Sequence, residues 1–160
     1  MVFEPPRACN LLTIELPSDQ GTAMNADQKK RYPYLRSPIK VGPMELRHRA
    51  VMSAHGMGLG DGSHGVSQKL HDYVLTRAKG GAALLGTESA PIHHTSQSRG
   101  LQVQLFSDGV LPSLTKLATA VRDAGSKLSI TLWHGGHNIT FLEGQAAVAA
   151  SPIPSITRET

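Results

Sequence analysis

The chain has 160 residues, of which 39% are apolar, 18% charged and only 4% aromatic. That is enough for one domain with a hydrophobic core, too apolar for disorder throughout, and too poor in aromatics for a nucleic-acid stacking platform. Sixteen Lys and Arg against twelve Asp and Glu leave a formal charge of +4 without a run of five like charges, so a dedicated polyanion-binding face is not expected.

In chain order, residues 1–31 come first as a loose tail, with Pro5, Pro6 and Pro17, a polar run from Ser18 to Arg31 and no sustained period. Met24 inside it offers a second start. From Tyr32 the pattern tightens. Ser37–Val41 and Met44–Leu46 alternate apolar and polar residues around Gly42-Pro43, which predicts a short hairpin. Ala50–Ala54 is a short apolar run, read as a buried strand, that ends before a loop with glycines at 56, 58, 60, 62 and 65.

Ser67–Lys79 predicts a helix. Leu70, Tyr73, Val74 and Ala78 share one face, Ser67 caps the start, and Gly80-Gly81 stops it. Ala82–Glu88 reads as a second strand, apolar on both faces, followed by a long loop from Ser89 to about Leu105. Leu111–Ala124 predicts a second helix with Leu114, Leu117, Ala118 and Val121 as its apolar stripe, Pro112 in its first turn and Gly125 at its end. Leu128–Trp133 is the third strand. Alternation of this kind predicts an α/β fold with a parallel sheet and right-handed crossovers, in which function gathers at the C-terminal strand ends.

The strand ends carry the chemistry-bearing residues. The Gly56–Gly65 loop lacks the spacing of a dinucleotide or phosphate-binding loop and is expected to be a mobile rim segment. His134 and His137, with Glu88 at a neighbouring strand end, could ligate a metal, although such histidines are more often hydrogen-bonded scaffold. The adjacent His93-His94 carry a weaker signal. Thr131 projects to the face opposite Ile130 and Leu132, where its hydroxyl either binds a polar heterocycle or is simply a strand-favouring side chain. Trp133 either packs in the core or walls a pocket.

Together these segments resemble the old yellow enzyme family of NADH:flavin oxidoreductases. The run Ser37–Arg49 resembles the family's opening hairpin, and Val51–Gly58 its first barrel strand. Tyr73 with Arg77–Gly81 and then Leu84–Glu88 resembles its next block. Ile130–Gly136 and Ala150–Pro152 resemble two further elements. The resemblance is nearest the dienoyl-CoA reductase and amine dehydrogenase or demethylase branch, and it runs from about Tyr32 to Thr160. It implies a (β/α)8 TIM barrel that binds FMN and passes hydride between NAD(P)H, the flavin and an unsaturated or amine substrate. Carried over by position, Ser53, Ala54, His55 and Gly56 would run along the flavin ring, largely through backbone groups; Ser89 would sit beside it; Thr131 would meet its pyrimidine edge. Three positions depart from the pattern. Gly56 stands where covalent members carry a flavin-linked cysteine, Thr131 where the family usually has Gln, and His137 where it usually has Arg.

A complete barrel of this kind needs about 250 residues. The resemblance therefore implies the N-terminal part of one, 32–160, with about three βα units plus the hairpin. Catalytic residues are expected downstream, and the chain alone is expected to be inactive. An iron–sulfur cluster and FAD are expected only in a longer parent. A half-barrel completed by another chain, as an assembly module, is the alternative; a metal-dependent barrel hydrolase is a more distant one. The expected partner is a small-molecule substrate, with neither nucleic acid nor membrane, and the oligomeric state is open. The lone Cys9 excludes an intrachain disulfide and Cys-rich metal sites. No apolar stretch approaches the roughly 20 residues of a membrane span, and Met1–Leu16 lacks a leader's basic start and apolar block, so the cytoplasm is the expected compartment.

Overall fold

The computed structural model describes residues 31–96, 100–139 and 148–151. The expected loose tail, apart from Arg31, and Pro152 of the last family-like element lie outside these residues. The described chain begins with a one-turn helix α1 (Pro33–Arg36) and an antiparallel hairpin of β1 (Ile39–Val41) and β2 (Met44–Leu46), with Val41 opposite Met44. Then come β3 (Val51–Met52), α2 (Gln68–Lys79), β4 (Leu84–Pro91), α3 (Leu111–Asp123) and β5 (Lys127–Trp133), with short 3-10 turns at His94–Ser96, Asp108–Val110 and Gly136–Asn138.

The three later strands form one parallel sheet in the order β3-β4-β5. Val51 pairs with Leu84 and Met52 with Leu85; Leu85 pairs with Leu128 and Ser89 with Thr131. The β4–β5 register shifts between Gly86 and Ser89, where β4 carries one extra residue. The central strand is buried along most of its length, whereas β5, with no further partner strand among the described residues, is exposed or half-buried throughout.

The core lies between the sheet and the two helices. Leu70, Val74 and Ala78 of α2 and Leu117 and Val121 of α3 pack with Leu85, Val103 and Val110 into one buried cluster. These are the positions that a 3.6-residue period brings to one side of each helix. Ser67 caps α2 as expected: its Oγ accepts the Leu70 N–H at 3.1 Å and donates to the Leu59 carbonyl. At the other end the Gly80 N–H closes onto the Thr76 carbonyl at 2.9 Å. The hairpin is tied to the strand-start end, where the His48 Nε2–H donates to the Gly81 carbonyl at 2.8 Å and its Nδ1 accepts from the Ala50 N–H at 3.2 Å.

Four details differ from the sequence reading. The first parallel strand spans two residues, not five, and Val51 is exposed, because β3 is a sheet edge with β4 as its single partner among the described residues. The second strand continues to Pro91 instead of ending at Glu88: Pro91 pairs with Trp133 across the ladder, and its carbonyl accepts the Leu105 N–H at 2.8 Å. Ala118 belongs to the exposed side of α3, not to its apolar stripe. The Gly-rich loop is cross-linked into the fold rather than free, as described below.

Leu117→Ala is expected to lower stability by about 2–5 kcal/mol, as for large-to-small changes in a core, and Ala118→Ser by no more than about 0.5 kcal/mol, as for an exposed site. Urea denaturation of the two variants checks this; equal effects would contradict the core described here.

Candidate functional site

Parallel strands joined by crossover helices bring all three C-terminal ends to one rim. Leaving β3, the chain passes directly against β4: a Cβ built on Gly86 would lie 2.7 Å from the Ala54 N and 3.1 Å from its Cα. Only glycine permits that approach. The segment Ser53–Gly56 is exposed as it crosses. Gly86 pairs with Ser129 and Ser89 with Thr131. Alternation sets Gly86, Ser129 and Thr131 on the face opposite Leu85 and Leu128, which pack toward the helices, and the extra residue in β4 between Gly86 and Ser89 turns Ser89, four residues after Leu85, to that same face opposite Thr131. Ser53–Gly56, Ser89 and Thr131 therefore meet on one face at one rim. Ser89 is half-buried there, its Oγ accepting from Gln102 Nε2 at 3.3 Å, and Thr131 is exposed.

The His55 side chain does not join that face. Its Nδ1–H donates to the Ser53 carbonyl at 3.2 Å, which leaves Nε2 to accept from the Tyr73 hydroxyl at 3.0 Å. The Arg77 guanidinium covers the Tyr73 ring at 3.2 Å from its centroid, a cation–π contact. His55 thus anchors the segment to α2 and leaves its backbone as the available surface.

Farther along, the loop is held by two carboxylates. Glu88, which is buried, accepts the Met57 and Gly58 N–H groups on Oε2 at 3.0 and 2.9 Å. Asp61 Oδ1 accepts from the Gly65 N–H at 2.6 Å, the Ser63 N–H at 2.9 Å and the Ser63 hydroxyl at 2.8 Å. The Gly65 N–H bond is the largest influence on the Asp61 carboxyl and holds it below the usual carboxylate range; the Ser63 bonds add to this, and burial partly opposes it. The Gly60 N–H donates to the Leu101 carbonyl at 2.7 Å, and the Val66 N–H to Ser113 Oγ at 3.0 Å. The expected mobile loop is thereby joined to the β4–α3 connection and to α3.

The histidines after β4 and β5 form a second tie. His134 Nδ1 accepts from the Gly136 N–H at 3.0 Å, so its Nε2–H donates to Thr95 Oγ1 at 3.2 Å. The Thr95 hydroxyl in turn donates to His93 Nδ1 at 2.9 Å. His134 is scaffold here. Glu88 is engaged by the loop, and among the described residues no three His, Cys, Asp or Glu side chains are placed to hold a metal ion. Trp133 is half-buried. A shallow depression of about 540 Å³ lined by Val51, Met52, Arg77 and Gly81 opens at the opposite, strand-start end, away from the converging polar groups.

Sequence reasoning passed over three contributors. Spacing marks Tyr73 only as a helix-face residue and Glu88 only as a candidate metal ligand, and nothing in it points to Gln102. The signal available in the sequence is the pair Gln102 and Gln104 inside the otherwise apolar segment Leu101–Leu105; the structure buries both.

Residues 34–159 match the model of the NADH:flavin oxidoreductase / NADH oxidase family. The chain belongs to that family. Among curated relatives it is 38% identical over 128 residues to a metal reductase of Desulforamulus reducens, covering 79% of this chain and 19% of that protein. It is 32% identical over 126 residues to an NADH oxidase of Thermoanaerobacter brockii, covering 77% and 19%. Among solved structures, an old yellow enzyme homologue from Zymomonas mobilis superposes with a TM-score of 0.61 at 26% identity, covering 66% of this chain and 29% of that one. The chain thus spans about a fifth of the length of the two curated relatives. Its fold is part of a (β/α)8 barrel of the old yellow enzyme type. The family's members are flavin oxidoreductases that use FMN with NADH or NADPH as electron donor. No helix among the described residues is long and apolar enough to cross a membrane.

A depressed carboxylate in the fold contributes stability that is complete above its unfolded value, near pH 4, and that disappears as pH falls through its lower folded value. The Asp61 turn is therefore expected to remain closed from neutral pH to about pH 4 and to open below it. The chemical shift of the Gly65 amide followed from pH 6 to pH 2 checks this, and Asp61→Asn should remove the transition.

Proposed function

We propose that this chain is the N-terminal part, 32–160, of an FMN-dependent oxidoreductase that passes hydride between NAD(P)H, the flavin and an unsaturated or amine substrate. The observation that carries this reading is the rim itself, where the exposed Ser53–Gly56 backbone is laid on Gly86 beside Ser89 and Thr131. These groups suit a flat, polar-edged ring. A Cβ at Gly86 would push the segment off the sheet, and backbone and hydroxyl groups are available on the face away from the helices. When bound, FMN supplies the ring that accepts and donates hydride.

The chain's own residues do the binding and orienting. Backbone N–H groups of Ser53–Gly56 supply fixed dipoles beside the ring, where they favour negative charge without reorganising. Ser89 and Thr131 offer hydroxyls along the same rim. Thr131 has one hydroxyl and a short reach where the family usually has Gln, so its contact is the weaker one. Catalytic residues and the FMN phosphate site are assigned to other parts of the enzyme. So are the strands that would cover β3 and β5, whose Val51 and Leu132 side chains are exposed.

On this reading the chain binds FMN weakly and does not turn over NAD(P)H by itself. Thr131→Gln, by adding a second polar atom and reach, should tighten FMN two- to tenfold, as one further hydrogen bond of about 0.5–1.5 kcal/mol would. Flavin-fluorescence titration of the folded chain and variant checks this. No saturable response, or no gain with Thr131→Gln, would refute the assignment.

A further inference from the structure

The clamp beneath the proposed flavin segment has a feature the fold does not require. Glu88 lies between Gly86 and Ser89, where the β4–β5 register shifts, and such irregularities re-aim side chains. It is 1% exposed. Two successive backbone N–H groups, of Met57 and Gly58, converge on its Oε2, while Oε1 accepts no hydrogen bond and no ion pair to Glu88 forms among the described residues. Convergent successive N–H groups are the geometry of an anion-binding nest. Here the nest closes on the protein's own Glu88 carboxyl oxygen. Gly58 has φ +60, the left-handed region that glycine enters without penalty.

A buried polar group is costly unless hydrogen-bonded, and the Met57 and Gly58 N–H groups are the partners that Oε2 finds. Residues 57–58 directly follow Ser53–Gly56. The segment is thereby held at both ends, by Gly86 and Tyr73 on one side and by Glu88 on the other. We propose that Glu88 is a positioning residue for flavin binding: it touches no ligand and sets the backbone of Ser53–Gly56 by clamping Met57 and Gly58. The inference rests on the flavin reading above.

Amide hydrogen exchange of the purified chain tests it, with FMN affinity measured beside it. Glu88→Met should speed exchange at Met57 and Gly58 by about tenfold or more, both hydrogen bonds being lost, and weaken FMN several-fold. Glu88→Gln keeps one carbonyl oxygen for the two N–H groups and should restore most of both. A merely structural role would instead raise exchange across the whole core. Gly58→Ala leaves Glu88 intact and meets no atom within 4 Å but opposes the positive φ; it should reproduce the local change if Glu88→Met does not fold. Unchanged exchange at 57–58 in both variants would overturn the clamp. A lost clamp with unchanged FMN affinity would overturn the positioning role. Failure of the wild-type chain to bind FMN would overturn the flavin reading and the positioning role with it, and is distinguishable because it shows before any substitution.

Discussion

Everything at the rim depends on how β4 is buried. It has a parallel neighbour on each side and two helices on one face, and Leu85 packs with Leu70, Val74, Leu117 and Val121. Burying such side chains is the main favourable term available to a domain of this size, at about 25 cal/mol per Å² of apolar surface. It is achieved only when both crossovers place their helices on the same face. Once they do, the three strands point one way, and their polar exit segments share one end of the sheet. Along its middle the opposite face carries small and hydroxyl side chains, Gly86, Ser89, Ser129 and Thr131.

A loop ten residues long at that end would ordinarily be free to move. Here its polar groups find partners on other elements: the Gly60 N–H on Leu101, the Val66 N–H on Ser113, Ser67 on Leu59, Met57 and Gly58 on Glu88. Asp61 closes the remaining turn internally. Each net contribution is modest, about 0.5–1.5 kcal/mol, but together they define where the backbone lies. That definition matters because the backbone is the part of the loop assigned to ligand contact.

Much of this was legible in the sequence because it is local. Ser67 and Gly80 mark the ends of α2, Leu70, Val74 and Ala78 its buried face, and Gly42-Pro43 the hairpin turn. The β/α alternation and the ordered set of motifs led to the family. What was not legible depends on distant partners. Pro91 normally argues for a strand end, and only its pairing with Trp133, 42 residues on, keeps it in the ladder. Ala118 has the right spacing for the core but lies at the exposed flank of the stripe. Five glycines read locally as mobility, and the bonds that hold them run to Glu88, Leu101 and Ser113. Alternation alone places Ser129 and Thr131 on one face, but it would turn Ser89 to the Leu85 side; only the extra residue in β4 brings Ser89 opposite Thr131, and only the absence of a side chain at Gly86 lets Ala54 lie against that face. That the His55 ring turns away to Tyr73 could not be read from spacing.

The central claim is that this face, and no other, receives the flavin. The most direct measurement is an amide NMR spectrum of the isotope-labelled chain with and without FMN. Shift changes concentrated at Ser53–Gly56, Ser89 and Thr131, with Gly81 and Ala82 at the opposite end unmoved, are the predicted result. Changes centred on the depression near Arg77 and Gly81, or no changes at the rim at saturating FMN, would contradict it.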